Sequence, residues 1–174
     1  MFHIDQLFSR TTSLTGHTCA TVFTDSRYTQ VYPIENRNKT EVASALQKFI
    51  NGVGIPATLT ADIAPEMAGK HTDFMRLVRR HDIQMHWIEK GQHWQNFRVE
   101  LEIGILKTRW WRGIQERGVP SRLWDFGLEY EAELLSCLSR GVDGRTSVRH
   151  PTYPNGLIFH FMTWYGISTQ STPQ

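Results

Sequence analysis

Cysteine is scarce in this chain. Cys19 and Cys137 are the only two, far apart and in no metal-ligand spacing, so neither a disulfide framework nor a cysteine zinc site is indicated. They are compatible with a reducing compartment. An excess of one charge is lacking too: 19 Lys and Arg against 17 Asp and Glu leave a formal net charge of +2. Bulk electrostatics therefore offer no argument for a polyanionic partner, and any nucleic-acid affinity must come from local patches. No apolar run approaches the roughly 20 residues needed to span a bilayer. The opening residues, with His3 and Asp5 in place of a basic leader, do not read as a signal peptide, and the chain reads as soluble and intracellular. A Gly-rich phosphate loop is missing, so NTP use is not indicated. What remains, at 174 residues with 40% hydrophobic and 21% charged, is a globular domain large enough to bury a core.

The pattern of elements is mixed α/β. Strands are expected over Phe2 to Phe8, Thr18 to Thr24 and Arg27 to Ile34, joined by turns at Gly16 and Asp25-Ser26 into an antiparallel meander. Asn38-Lys39-Thr40-Glu41 starts a helix with Val42, Ala45, Leu46, Phe49 and Ile50 at helical steps, stopped by Gly52 and Gly54. A short strand, Ala57 to Ala61, ends at Asp62. A second helix runs from about His71 to His81, and Ile83 to Ile88 alternates as a fifth strand. The polar loop from Glu89 to Trp94 leads into a long helix from Gln95 to Arg117, with Val99, Ile103, Leu106 and Trp110 as its buried stripe. Gly118-Val119-Pro120-Ser121 breaks it, with Ser121 as a cap rather than a nucleophile, before a final helix from Leu123 to Leu138. The order β-β-β-α-β-α-β-α-α gives a five-stranded mixed sheet, three antiparallel strands then crossover units, flanked by helices. Residues 1–118 read as the core, 119–145 as a trailing helix packed on it, and 146–174 as an irregular tail whose polar end is expected to be disordered.

Three acids stand out against this layout. Asp5 sits in the apolar run of the first strand, Asp62 closes the fourth, and Glu100 lies at the start of the long helix. Hard cations such as Mg²⁺ take oxygen ligands, and two of them close together need carboxylates from several elements. Singly, each acid reads as a turn or solubility residue; the case rests on all three.

These residues and this strand order resemble the catalytic core of a retroviral-type integrase, and the local sequence is similar to integrases of copia-type retrotransposons. Leu59-Thr60-Ala61-Asp62-Ile63-Ala64 resembles the family's strand, aspartate and small-residue turn. Gln95-Asn96 followed by Glu100 resembles its Gln-Asn-Glu phrase, while Glu102 to Leu106 and Arg122 to Gly127 are similar to its trailing helices. The resemblance implies an RNase H-like fold and Mg²⁺- or Mn²⁺-dependent transfer of DNA strands by two metal ions. In that scheme Asp5 bridges both ions, and Asp62 and Glu100 hold one each. It also implies donor and target DNA as partners, a homo-oligomer, no membrane, and the nucleus as the place of action. Phe97, Arg98, Leu101 and Ile63-Ala64 depart from the family pattern, and Arg98 reads either as a phosphate contact or as crowding the metal site. The chain begins four residues before Asp5, so a preceding zinc-binding segment is not expected and the first strand is expected to be weakly anchored. Read from the third base of each codon, with permitted synonymous choices, the back-translation of Pro151 to Trp164 resembles a segment that follows the core in related elements. On that reading the tail is expected to be a frameshift product and the chain a truncated, degenerate copy. Two rival readings stand beside active strand transfer: an inactive nucleic-acid-binding relic, and a metal-dependent nuclease that cleaves without joining.

Candidate DNA contacts are Gln95, Asn96, Arg98, Lys107, Arg109 and Arg112. Arg76, Arg79 and Arg80 form a second basic cluster, for which a solvated helix face is the plainer reading. Trp110-Trp111 has base stacking as one reading and a single ring in the core as the preferred one. His71, His81, His86 and His93 fit no zinc spacing.

Overall fold

A computed structural model describes residues 1–25, 28–89 and 96–138. Arg27, His93, Gln95, the loop ahead of the long helix and the whole of 146–174 lie outside the described residues. Short runs in which side chains alternate in burial or are buried throughout build the first strands: β1 (Phe2–Phe8, seven residues), β2 (Cys19–Thr24, six) and β3 (Thr29–Ile34, six). All six side chains of β2 are buried, as a strand covered on both faces requires. β4 (Thr58–Asp62) and β5 (Gln84–Ile88) complete one five-stranded sheet in the order β3-β2-β1-β4-β5. β1 pairs antiparallel with β2 and parallel with β4. It is therefore the middle strand, held by ladders on both edges, and the expectation of a weakly anchored first strand is overturned.

Helix α1 (Lys39–Gly52) begins where the Asn38 side chain accepts a hydrogen bond from the Glu41 amide at 2.7 Å. It buries the expected stripe of Val42, Ala45, Leu46, Phe49 and Ile50. A four-residue helix that the sequence reading did not foresee, α2 (Pro65–Ala68), follows β4. Thr72 caps the Met75 amide, so α3 (Asp73–Arg80) starts later than His71. The long α4 (Phe97–Arg117) closes on Gly118, whose φ of +64° is the left-handed cap that glycine adopts without strain. Pro120, not Ser121, precedes a 3₁₀ turn (Ser121–Leu123), and no side chain caps that turn. α5 (Trp124–Leu138) follows.

Two cores result, one on each face of the sheet. On one face Ile4, Phe23, Leu59 and Ala61 meet α1 and α3, with Phe23 stacked on Phe49 at 4.5 Å between ring centroids. On the other, Leu7, Val22 and Val31 meet Val99, Ile103, Leu106, Trp124 and Leu128 of α4 and α5. This second core fixes where α4 starts over β1.

Candidate active site

Period-two alternation puts His3, Asp5 and Leu7 on one face of β1, and Leu7 belongs to the core beneath α4 and α5. The parallel register pairs His3 with Thr60 and Ile4 with Ala61, so Asp5 and Asp62 are the next residues along neighbouring strands. β5 continues the rows, placing His86 beside Thr60 and Ile88 beside Asp62. Glu100 lies in the first turn of α4. Its neighbours Val99 and Ile103 are buried against the sheet, which leaves Glu100 exposed at the near end of the helix.

Electrostatics tie the three acids together. Burial pushes the Asp5 carboxyl above its usual range; the Gln6 amide, donating at 2.7 Å, opposes this, while Asp62 and Glu100 raise it further and Lys107 draws it down. A half-buried carboxylate on the middle strand thus feels two more carboxylates, one from β4 and one from α4. Beside it, burial lowers the pKa of His3, helped by the positive charges of Arg98, the chain's amino group and His86. The His3 Nδ1, the Thr60 hydroxyl and both amide atoms of Asn96 are buried without hydrogen-bond partners among the described residues. Unmet polar atoms of this kind are uncommon in a finished core and concentrate at working sites. The His3–Thr60 row escaped the sequence reading, although alternation along β1 already placed His3 on the face of Asp5.

Among the described residues, no group of three or more His, Cys, Asp or Glu side chains is gathered closely enough to hold a metal ion. The donors themselves suit a hard divalent cation: they are carboxylate oxygens whose mutual repulsion, seen at Asp5, a bound cation would relieve.

The candidate DNA contacts divide. Arg98, Lys107 and Arg112 are exposed. Arg98 exerts its charge on His3 and Glu102, whereas the cation acting on Asp5 is Lys107. Asn96 is wholly buried. Arg109 donates through Nε to Glu131 of α5 at 2.5 Å, a bond that ties the two helices together. In the other cluster Arg76 is paired with Asp73, and Arg79 donates to the Lys70 carbonyl at 3.0 Å. Trp110 packs against the second core while Trp111 is 61% exposed, the division of roles preferred from the sequence.

No protein-family model and no curated protein matches this chain. Solved structures do. The HTLV-2 integrase catalytic core domain in complex with magnesium, in its trimeric form, is similar over 83% of this chain and 90% of that one, with a TM-score of 0.63 and 18% identity. A chain from the structure of a simian T-cell lymphotropic virus intasome in complex with the PP2A regulatory subunit B56 gamma matches with a TM-score of 0.69 and 19% identity. There 89% of this chain covers 57% of the longer one. The catalytic core of BIV integrase matches with a TM-score of 0.59 and 18% identity, over 83% of this chain and 88% of that one. At such identities the likeness is one of fold. The chain has the RNase H-like fold of retroviral integrase catalytic cores, a mixed five-stranded sheet flanked by helices.

Proposed function

We propose that this chain is the catalytic core of an integrase-type polynucleotidyl transferase from a copia-type retrotransposon, with Asp5, Asp62 and Glu100 as its catalytic carboxylates. The observation that supports the reading is the electrostatic coupling at Asp5, whose carboxyl on β1 feels Asp62 of β4 and Glu100 of α4, on a fold seen in integrase cores. The same three would hold two Mg²⁺ or Mn²⁺ ions, Asp5 bridging both, and bound there the ions supply activation of water or a 3′-hydroxyl and stabilisation of the leaving oxygen. The protein's own part is positioning. The Gln6 amide fixes one Asp5 oxygen, and the buried Val99, Ile103 and Leu106 seat α4 on the sheet with Glu100 in its first turn. Exposed Arg98, Lys107 and Arg112 hold backbone phosphates along α4; Gln95 stays a candidate contact from the sequence alone, and Asn96, wholly buried, is not one. Arg109, through Glu131, keeps α4 on α5.

Magnesium, the trimeric form and the intasome are properties of the viral neighbours; we carry divalent-ion use, DNA binding and self-assembly to this chain as parts of the same proposal. A nuclear site of action belongs to it as well. So does the frameshift reading of 146–174, which the nucleotide sequence tests: third bases incompatible with the shifted frame remove it.

One observation favours a second reading, an inactive DNA-binding relic: the carboxylates are not drawn together into a metal-binding group among the described residues. A strand-transfer assay with Mg²⁺ or Mn²⁺, run beside Asp62→Asn, separates the possibilities. Joined products that vanish in the variant support the transferase. Cleavage without joining assigns a nuclease, and DNA binding with neither reaction assigns the relic.

A further inference from the structure

Beyond the acids, the end of β1 and the facing parts of α4 and α5 enclose a pocket of about 350 Å³ whose lining includes Trp110, Trp111, Trp124, Arg10 and Lys107. That volume is at the small end of those that take small ligands. The three rings form a graded wall. Trp124 is 3% exposed and Trp111 61% exposed. Trp110 packs so closely on Gly127 that any Cβ there would enter its ring. An aromatic wall of this kind takes a flat π-system.

Two further observations narrow the ligand. The buried indole N–H of Trp124 has no acceptor among the described residues. A desolvated donor left unpaired is costly, so the fitting ligand brings an acceptor to it. Arg10 and Lys107 make no ion-pair contact among the described residues, which leaves two cations for an anionic group. A planar ring with acceptor atoms, joined to an anion, is a nucleotide. Lys107 also joins the pocket to the acids, since its charge bears on Asp5.

We propose that this pocket receives one unstacked base of a DNA strand, with Trp110, Trp111 and Trp124 around the ring and Lys107 and Arg10 on the flanking phosphate. The site is separate from the three acids and rests on the reading of the chain as a DNA transferase. It holds the strand beside the acids by a base that needs no particular identity, because every base has a π-face.

The test is fluorescence anisotropy on the full chain with three labelled probes: a short oligothymidylate, an abasic strand of the same length, and a duplex. The wild type should bind the oligothymidylate about tenfold more tightly than the abasic strand. Trp111→Ala removes an exposed ring, so its circular dichroism should be unchanged while the preference is lost. Trp124→Phe keeps a ring but not the N–H and should weaken the preference several-fold. Duplex affinity should hold in both variants. Equal binding of the abasic strand, or a preference that survives both substitutions, overturns the pocket while duplex binding leaves the transferase reading intact. If neither single-stranded nor duplex DNA binds, both fall together.

Discussion

Glu129→Gln is the substitution whose effect the structure sizes best. Glu129 is half-buried on α5, and burial, together with the charges of Asp125 and Glu133, pushes its carboxyl from 4.5 up to about 7 against the pull of Lys48. The folded protein therefore holds this proton more tightly than the unfolded chain does. The stability it contributes is fully present below pH 4.5 and is lost as pH rises through about 7. At about 1.4 kcal/mol for each pH unit between the two values, the loss reaches ~3 kcal/mol, and partial exposure brings the expected figure to about 1–2 kcal/mol. Gln keeps the shape and the helix propensity of Glu without the charge. Urea unfolding followed by tryptophan fluorescence, repeated from about pH 4 to 8, should show the two proteins equally stable in acid. Above pH 7 the variant should be the more stable by about 1–2 kcal/mol. A difference independent of pH, or one in which the wild type gains as pH rises, would refute the assignment.

Four further outcomes follow from the packing and charge around particular residues. Gly127→Ala drives a methyl into the Trp110 ring and should cost about 1–2 kcal/mol, overpacking outweighing the better helix propensity. Gly104→Ala and Gly113→Ala meet open space and should stabilise by up to about 1 kcal/mol, read, like Gly127→Ala, from urea unfolding. Buried Asp125 holds the loop after β1 by accepting from Thr15, from His17 at 2.9 Å and from the Phe126 amide. Burial alone would raise its pKa, but these bonds and one from Ser13 leave it lowered. Its stabilisation is thus present above 3.8 and lost as pH falls through the folded value. Asp125→Asn should accordingly cost about 1–3 kcal/mol near neutrality and progressively less in acid, read from pH-dependent unfolding. Asp5→Asn removes a carboxylate that burial and its neighbours already disfavour, so it should raise the melting temperature at neutral pH while abolishing strand transfer.

Much of this was legible in the sequence because local rules carried it. Alternation defined the strands, and the spacing of Val99, Ile103 and Leu106 defined the inner face of α4. Asn38 marked the start of α1 to the residue, whereas the start of α3 was misjudged because Thr72 rather than His71 terminates the preceding loop. α2 is a single turn behind Pro65, too short for periodicity to register. The acids were legible as types in the right elements. That Asp5 and Asp62 lie on neighbouring strands depends on the parallel register between β1 and β4, a pairing of segments distant in sequence. The same limit hid the bond from Arg109 to Glu131, which turns a candidate DNA contact into a helix tie. It also hid the tryptophan pocket, which exists because α4 and α5 approach at Gly127. The middle position of β1 likewise depends on partners on both sides that no local pattern announces.

Direct titration with Mn²⁺, followed by electron paramagnetic resonance, addresses the gathering of the three carboxylates without relying on turnover. The wild type should bind the ion, and Asp5→Asn, Asp62→Asn and Glu100→Gln should each weaken binding at least about tenfold. Undiminished affinity in any one of the three, or no binding by the wild type with DNA present, would contradict a shared metal centre.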